Sequence, residues 1–244
     1  MMSVREMGAV AVRVNLVALR RKLLNHTDME KSADIAARRP LKSRASAWAG
    51  WLSRLLVRSG ASANLISVFS VIFSLAAGCV LGCVGTGLLS HPWLLTAAVL
   101  IQMRLVCNLM DGMVAIEGGK KSATGDLFNE VPDRIADVAI LSGFGLCAFC
   151  QPWGIHLGWL AASLAVMTAY IRMQGAVLTG KHDFRGPMAK PQRMALVTAA
   201  CVVGAFLPNA FDWFFWALAV MVPGEIITVC RRLCGISKIL KAKP

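Results

Sequence analysis

The sequence has little charge for its length. Asp, Glu, Lys and Arg make up only 16% of its 244 residues, whereas soluble domains carry about a quarter. Apolar residues make up 57% of the chain. They form several runs of roughly 18 or more residues, which is too many for one soluble core to bury. The composition therefore excludes a soluble globular domain and predicts a protein embedded in a membrane.

Negative charge is scarcer than positive charge, with 13 acidic residues against 26 basic ones. Such an excess is typical of proteins that bind nucleic acid, or of membrane proteins whose cytoplasmic side faces anionic lipids. Most of the basic residues precede the first apolar run, follow the last one or lie in alternate connections, and the connections 85–92, 151–154 and 208–212 contain no Lys or Arg. This positive-inside pattern predicts cytoplasmic termini, contact with membrane lipids, and no nucleic-acid partner.

Two further absences narrow the choice of protein class. The basic leader contains no apolar segment of the kind that a cleaved signal peptide needs, so we expect it to be retained. The eight cysteines lie in or beside apolar runs, so we predict no disulfide framework and assign Cys147 and Cys150 to packing rather than to zinc or redox chemistry. The four histidines have no metal-ligand spacing.

Six apolar runs organise most of the chain, and each is near the length needed to cross a bilayer. Before them, residues 44–60 place Trp48, Trp51 and Leu55 on one helix face, which predicts an amphipathic helix in the membrane interface. The expected fold is all-α, a polytopic membrane protein with about six transmembrane helices after this interfacial helix. The predicted segments are a basic leader (1–43), the interfacial helix (44–60), the six-helix domain (61–235) and a basic tail (236–244), with apolar runs at 64–84, 93–115, 126–150, 155–177, 193–207 and 213–230.

Polar residues gather where the second apolar run ends and the third begins. Asn108 and Asp111 are three residues apart, and Asn129 and Asp133 are four apart, so each pair shares one helix face. Ionisable groups within a span are costly and usually mark a functional site. Both pairs are expected at the cytoplasmic face, where their oxygens would converge as ligands for Mg²⁺ or Mn²⁺.

These residues form the pattern N-x2-D-G-x2-A-I-x8-G-x3-N-x3-D over residues 108–133. The pattern resembles the motif D-x2-D-G-x2-A-R-x8-G-x3-D-x3-D of the CDP-alcohol phosphatidyltransferases, with every spacing kept. Arg134, the A-N-L-I-S stretch at 63–67 and the Y-I-R stretch at 170–172 extend the resemblance, which covers about residues 44–235.

The resemblance implies a reaction in phospholipid biosynthesis. In this family an acceptor hydroxyl attacks the β-phosphoryl group of a CDP-alcohol, usually CDP-diacylglycerol, and CMP leaves. Two divalent ions bridge the diphosphate, the last Asp of the motif is the general base, and members often dimerise. A bacterial inner membrane is the expected location. Carried over to this chain, the base is Asp133, the metal positions are Asn108, Asp111, Asn129 and Asp133, and the donor-binding positions are Asn64, Gly112, Ala115 and Gly125.

The chain departs from the family pattern at three positions. Asn108 and Asn129 stand where the family has Asp, and Ile116 stands where it has Arg. Because two amides remove two negative charges, we expect weaker metal binding, with one or two ions held. Asp137 has the best helical phase for a compensating carboxylate. We therefore expect an active but specialised enzyme, and a degenerate member that binds the lipid nucleotide without turnover is the alternative.

Cations are expected beside the polar cluster. They predict a phosphate pocket for a small alcohol or sugar-phosphate acceptor, although lipid head groups are the alternative ligands for the loop residues. Glycerol phosphate, inositol phosphate, serine and simpler alcohols all stay open as acceptors. The predicted phosphate-binding residues are Arg134, Arg172, Lys190 and Arg193.

Three other polar or special residues lie inside the runs. Arg104 is expected to pair with an acidic residue, for which Glu225 is a distant candidate, or to neutralise donor phosphate. Pro132 predicts that the third helix begins near Asn129 or is kinked there. Intramembrane charge is also found in transporters and channels, but the sequence has no visible repeat.

Overall fold

The structure is a computed structural model that describes residues 46–118, 125–148, 151–207 and 210–242. The chain divides into two compact units, Met1–Pro40 and Leu41–Pro244, and every described residue belongs to the second. The predicted leader at 1–43 lies outside the described residues. So do Lys120, Lys121 and Cys150, together with the connection at 208–209.

All seven regular elements in the described part of the chain are α-helices, which confirms the all-α prediction. Each of the six predicted apolar runs falls on a separate helix, and most ends agree within three residues. The main difference is the last helix, which continues about three turns beyond the predicted end. The helices are α1 (Ala47–Arg58), α2 (Ala63–Gly85), α3 (Trp93–Glu117), α4 (Gly125–Cys147), α5 (Gly154–Thr179), α6 (Lys190–Phe206) and α7 (Ala210–Lys241).

Four helical segments are long and apolar enough to span a membrane. They are Ala63–Gly85, Trp93–Glu117, Gly154–Thr179 and Asp212–Lys241. The other two long helices differ for separate reasons: α6 has 17 residues, and α4 carries several ionisable side chains in its first half. The helices therefore support an integral membrane protein with four candidate spans.

Local signals explain where several helices begin and end. Ser62 caps α2, since its Oγ accepts a hydrogen bond from the Leu65 N–H at 3.2 Å. Gly180 ends α5 in the left-handed region, with φ 73°, where a side chain would be strained. Pro132 lies inside α4, which begins at Gly125, so a helix start near Asn129 is wrong.

Helix α4 packs extensively against both α2 and α5. Glycines at both contacts let the backbones approach closely. A Cβ at Gly78 or Gly143 would overlap the opposing backbone between α2 and α4, and the same is true of Gly145 and Gly158 between α4 and α5. Helix α4, whose first half is polar, is therefore packed closely against both neighbouring helices.

The apolar core and the buried charges occupy different levels of the bundle. Core residues precede Arg104 in α3, follow Asp137 in α4 and follow Arg193 in α6. Within that core the rings of Phe144 and Phe214 pack with centroids 4.8 Å apart. A smaller apolar cluster attaches α1 to the ends of α2 and α3 that lie nearer the charges, through Ala49, Ile66, Leu109, Met110, Met113 and Val114.

Candidate active site

The two polar pairs meet between the end of α3 and the first half of α4. Asn108 donates a hydrogen bond from Nδ2 to Oδ2 of Asp133, with 3.4 Å between the atoms. Asp111 follows Asn108 by one turn and is buried, whereas the side chain of Asn129 is exposed. The structure therefore brings Asn108 into contact with Asp133, keeps Asp111 on the adjoining turn, and leaves Asn129 at the outer edge.

Asp111 is held by two hydrogen-bond donors. The hydroxyl of Ser67 donates to Oδ2 at 3.0 Å, and the backbone N–H of Gly112 donates to Oδ1 at 2.5 Å. Ser67 lies on α2 and is 3% exposed. It was not among the predicted site residues, although it belongs to the 63–67 stretch that resembles the family. Its hydroxyl orients the carboxylate of Asp111 from a neighbouring helix.

Asp133 lies among three cations. Lys190 Nζ is 2.5 Å from Oδ2, Arg104 Nη2 is 3.5 Å from Oδ1, and Arg134 Nη2 is 3.6 Å from Oδ2. Lys190 is the first residue of α6, so the start of that helix lies against the motif half on α4. The sequence predicted cations here but did not predict which of them would contact Asp133.

A buried ion-pair network continues inward from Asp133. Arg104 Nη2 lies 2.6 Å from Asp137 Oδ1, and Arg193 Nη2 lies 3.0 Å from Asp137 Oδ2. Arg193 Nη1 also lies 3.2 Å from Glu225 Oε1. Each of these four side chains is at most 2% exposed. The network therefore joins α3, α4, α6 and α7 through charge pairs that water cannot screen.

This network changes three predicted roles. Asp137 does not lie free to compensate for the two Asn residues, because both of its oxygens are engaged by arginines. Arg193 donates to Asp137 and Thr168 in the interior rather than facing a phosphate pocket. Glu225 pairs with Arg193, so it is not the partner of Arg104.

Two other predicted phosphate-binding residues lie at the outer side of the cluster. Arg172 Nη2 contacts both carboxylate oxygens of Glu130, at 2.5 and 2.7 Å. Arg134 lies 3.5 Å from the same carboxylate, and Arg172 also sits over the ring of Phe184 at 5.6 Å. One carboxylate thus holds two guanidinium groups that remain partly exposed.

The connection between α5 and α6 is tied to α7. Arg232 Nε donates to the carbonyl oxygen of Arg185 at 3.0 Å, and the Met188 N–H donates to Thr228 Oγ1 at 3.1 Å. At the tip, the Arg185 guanidinium that hydrogen-bonds Asp183 holds the pKa of that carboxyl below its ordinary value. The sequence did not indicate Arg232 or Thr228, because both lie about 40 residues away from the loop they hold.

A cleft of about 280 Å³ opens beside the cluster, where α1, α2 and α3 come together. Two of the predicted donor-binding residues, Asn64 and Ala115, lie on its wall. Gly112 lies one turn before Ala115 on the same helix, and Gly125 begins α4 at a point where a Cβ would meet no atom of the described residues within 4 Å. The lining residues are Val57, Gly60, Ala61, Ser62, Ala63, Asn64, Val114, Ala115 and Gly118.

The cluster offers oxygen ligands of the kind that Mg²⁺ and Mn²⁺ prefer. Two are carboxylates, Asp111 and Asp133, and two are the amides of Asn108 and Asn129. In the part of the chain that the structure describes, no three His, Cys, Asp or Glu residues are grouped to hold a metal ion. The donor chemistry therefore fits a divalent ion, but with only half of its ligands charged.

No protein-family model matches the chain. It is 30% identical over 170 residues to the phosphatidylinositol phosphate synthase of Corynebacterium glutamicum, covering 66% of this chain and 74% of the relative. It is 24% identical over 186 residues to the inner membrane protein YnbA of Escherichia coli, covering 75% of this chain and 89% of the relative.

Solved structures share the fold. The phosphatidylinositol phosphate synthase of Mycobacterium tuberculosis with CDP-DAG bound matches with a TM-score of 0.64 at 21% identity, over 77% of this chain and 92% of that one. The same enzyme in complex with manganese and citrate matches with a TM-score of 0.62 at 22% identity, over 76% of this chain and 87% of that one.

Proposed function

Because the chain belongs to the CDP-alcohol phosphatidyltransferase family, we propose that it transfers the phosphatidyl group of CDP-diacylglycerol to an alcohol acceptor and releases CMP. The observation that carries this proposal is the contact between Asn108 and Asp133. It joins the two halves of the motif, which are 25 residues apart in the chain, beside a cleft lined by two predicted donor-binding residues.

The donor is assigned to this cleft. Asn64 and Ala115 face it from α2 and α3, and the glycines at positions 112 and 125 would let a diphosphate approach the backbone. The cytidine end then lies towards α1 and the diphosphate towards Asp111. The mycobacterial neighbour with CDP-DAG bound supports the choice of donor.

A divalent ion is assigned to the oxygen ligands of the motif. Asn108, Asp111, Asn129 and Asp133 would hold Mg²⁺ or Mn²⁺, which when bound neutralises charge on the diphosphate. Ser67 serves this ion indirectly, because its hydroxyl fixes the orientation of the Asp111 carboxylate. The neighbour in complex with manganese supports the choice of metal.

Asp133 is assigned as the general base. Its carboxylate takes the proton of the acceptor hydroxyl while that oxygen forms a bond to the β-phosphorus of the donor. The bond between this phosphorus and the bridging oxygen breaks, and CMP leaves with the electron pair. Lys190 and Arg104, which contact Asp133 from α6 and α3, hold its carboxylate in place.

The acceptor is assigned to the outer side of the cluster, around Arg134 and Arg172. Their guanidinium groups share Glu130 and stay partly exposed, so they are available to a phosphate group of the acceptor. Lys190 and Arg134 both contact Asp133, so they connect this region to the proposed base. Arg193 supports this region from the interior. The named relatives favour a phosphorylated polyol over serine as acceptor.

We assign six crossings, α2 to α7, with α1 in the interface. Helix α4 would cross because its charges are paired within the bundle, and α6 because 17 residues reach roughly 25 Å. Trp48, Trp51 and Leu55 of α1 remain exposed and would enter the head-group region. The charge pattern puts both termini and the site in the cytoplasm, and YnbA supports a bacterial inner membrane.

A second candidate function is binding of the lipid nucleotide without turnover. The two amides at 108 and 129 favour it, as does the engagement of Asp133 by cations. The two functions differ in one observable, because only the transferase produces CMP.

The test is CMP release from CDP-diacylglycerol by purified protein with Mg²⁺ or Mn²⁺, against a panel of alcohols and sugar phosphates. We expect metal-dependent release with one class of acceptor, and loss of release in Asp133→Asn. Release unchanged in Asp133→Asn would exclude the base assignment. Donor binding without release for any acceptor would favour the second function.

A further inference from the structure

Each carboxylate oxygen of Asp133 has its own buried cation. Lys190 Nζ lies 2.5 Å from Oδ2, and Arg104 Nη2 lies 3.5 Å from Oδ1. The Lys190 side chain is 22% exposed and that of Arg104 is not exposed at all. With Arg134 at 3.6 Å from Oδ2 as a third cation, the charge of Asp133 is matched within the protein, although Arg104 is shared with Asp137.

These cations are built into the bundle. Arg104 lies one turn before Asn108 on α3, and its Nη2 is also bound by Asp137 at 2.6 Å. Among the described residues, its Nε and Nη1 are buried and have no hydrogen-bond partner. Replacing Arg104 with a neutral residue would therefore remove these two unpaired donors. Lys190 begins α6, and the same helix is fixed to Asp137 through Arg193.

Asp111 has a different environment. Its carboxylate accepts hydrogen bonds from Ser67 and from the backbone N–H of Gly112. Among residues 46–118, 125–148, 151–207 and 210–242, no Lys or Arg lies within ion-pair distance of it. Within these residues Asp111 is therefore held by hydrogen-bond donors, whereas Asp133 is held by direct contacts with cations.

We propose that Lys190 and Arg104 act as fixed cations in place of a second divalent ion, so that Asp133, although one of the four ligand positions assigned above, holds no dication of its own and the site binds one ion centred on Asp111. Like charges a few ångströms apart in a protein interior repel strongly, so a dication at Asp133 would have to displace Lys190 or lie against it. The two neutral amides at 108 and 129 fit the loss of one dication, because replacing two carboxylates by amides removes two negative charges from the site.

The inference rests on the proposed transferase function. In that reaction one ion would neutralise charge on the diphosphate, while the ammonium of Lys190 and the guanidinium of Arg104 match the charge of Asp133. These two groups stay in place through each cycle, whereas a dication exchanges with solution.

The test counts bound Mn²⁺ per chain by electron paramagnetic resonance in detergent. We expect one ion in the natural protein. The double variant Asn108→Asp/Asn129→Asp restores both carboxylates. The triple variant adds Lys190→Met, which removes one of the two fixed cations. The triple variant should bind a second ion at least tenfold more tightly than the double variant. Lys190→Met alone should bind its ion at least tenfold more tightly than the natural protein.

The matched control is a second triple variant, in which Lys181→Met takes the place of Lys190→Met. It removes an exposed lysine of the same connection and should behave like the double variant. Two ions in the natural protein would overturn the inference, as would equal second-ion affinity in the double and triple variants. CMP release is measured separately. If the natural protein binds one ion but releases no CMP, the transferase proposal is contradicted. If it releases CMP with two bound ions, the fixed-cation inference is contradicted.

Discussion

Arg104 and Asp137 lie 2.6 Å apart in the interior of the bundle, and neither side chain is more than 1% exposed. The pair joins α3 to α4 directly behind Asp133. Because Asp137 also binds Arg193, and Arg193 binds Glu225, one carboxylate of α4 connects three other helices. The position of Asp133, the proposed base, therefore depends on a network of buried charges that connects four helices.

Replacing Asp137→Asn should destabilise the protein severely. Two buried arginines would lose their shared counter-charge, and breaking a buried pair costs about 3–5 kcal/mol. The measurement is the loss of monodisperse protein on heating in detergent. The control is Asp183→Asn, which removes a partly exposed carboxylate paired with an exposed Arg185 and should cost under about 1 kcal/mol. Equal melting of the two variants would contradict the prediction.

Replacing Ser67→Ala should weaken metal binding without unfolding the chain. The Asp111 carboxylate would lose the hydroxyl that orients it, and such supporting residues are typically worth about 10- to 100-fold in metal affinity. Mn²⁺ titration measures the effect. Ser163→Ala is the control, because Ser163 is exposed and donates only to the Trp159 carbonyl of its own helix. Unchanged Mn²⁺ affinity in Ser67→Ala would mean that Asp111 does not bind the ion.

Replacing Arg172→Met should raise the acceptor KM while leaving donor binding unchanged. The hydrogen bonds of a charged group contribute about 1.5–3 kcal/mol, so the expected rise is about tenfold or more for a phosphorylated acceptor. Steady-state kinetics with acceptor and donor varied in turn separate the two constants. An equal rise in both would indicate a structural role through Glu130 instead.

Replacing Gly143→Ala should separate α4 from α2. A Cβ at this position would overlap the backbone of Gly78, and overpacking of this kind costs about 1–3 kcal/mol. Thermal stability in detergent measures the cost, and CMP release should fall with it because α4 carries Asp133. Gly50→Ala is the control, since its Cβ would meet only the movable end of the Arg54 side chain. A stable and fully active Gly143→Ala protein would show that the two helices can shift apart.

Much of the site could be predicted from the sequence. The 108–133 pattern predicted that Asn108 and Asp133 would come from two helices and meet, because three- and four-residue spacings fix a helix face. The family that this pattern resembles is confirmed by the relatives. The identity of each counter-ion could not be predicted. Glu225 was a candidate partner for Arg104 and pairs with Arg193, and Asp137 was a candidate compensating carboxylate and binds two arginines.

The sequence by itself determined the helices and the number of apolar runs, because helix periodicity and run length are properties of neighbouring residues. It also determined which residue types meet where the second and third apolar runs join. Only the tertiary structure decided that Lys190 contacts Asp133 and that Arg193 lies between Asp137 and Glu225. Those partners are 57, 56 and 32 positions apart in the chain. Their contacts depend on how glycine pairs such as Gly78 and Gly143 set the distance between helices, which no local pattern specifies.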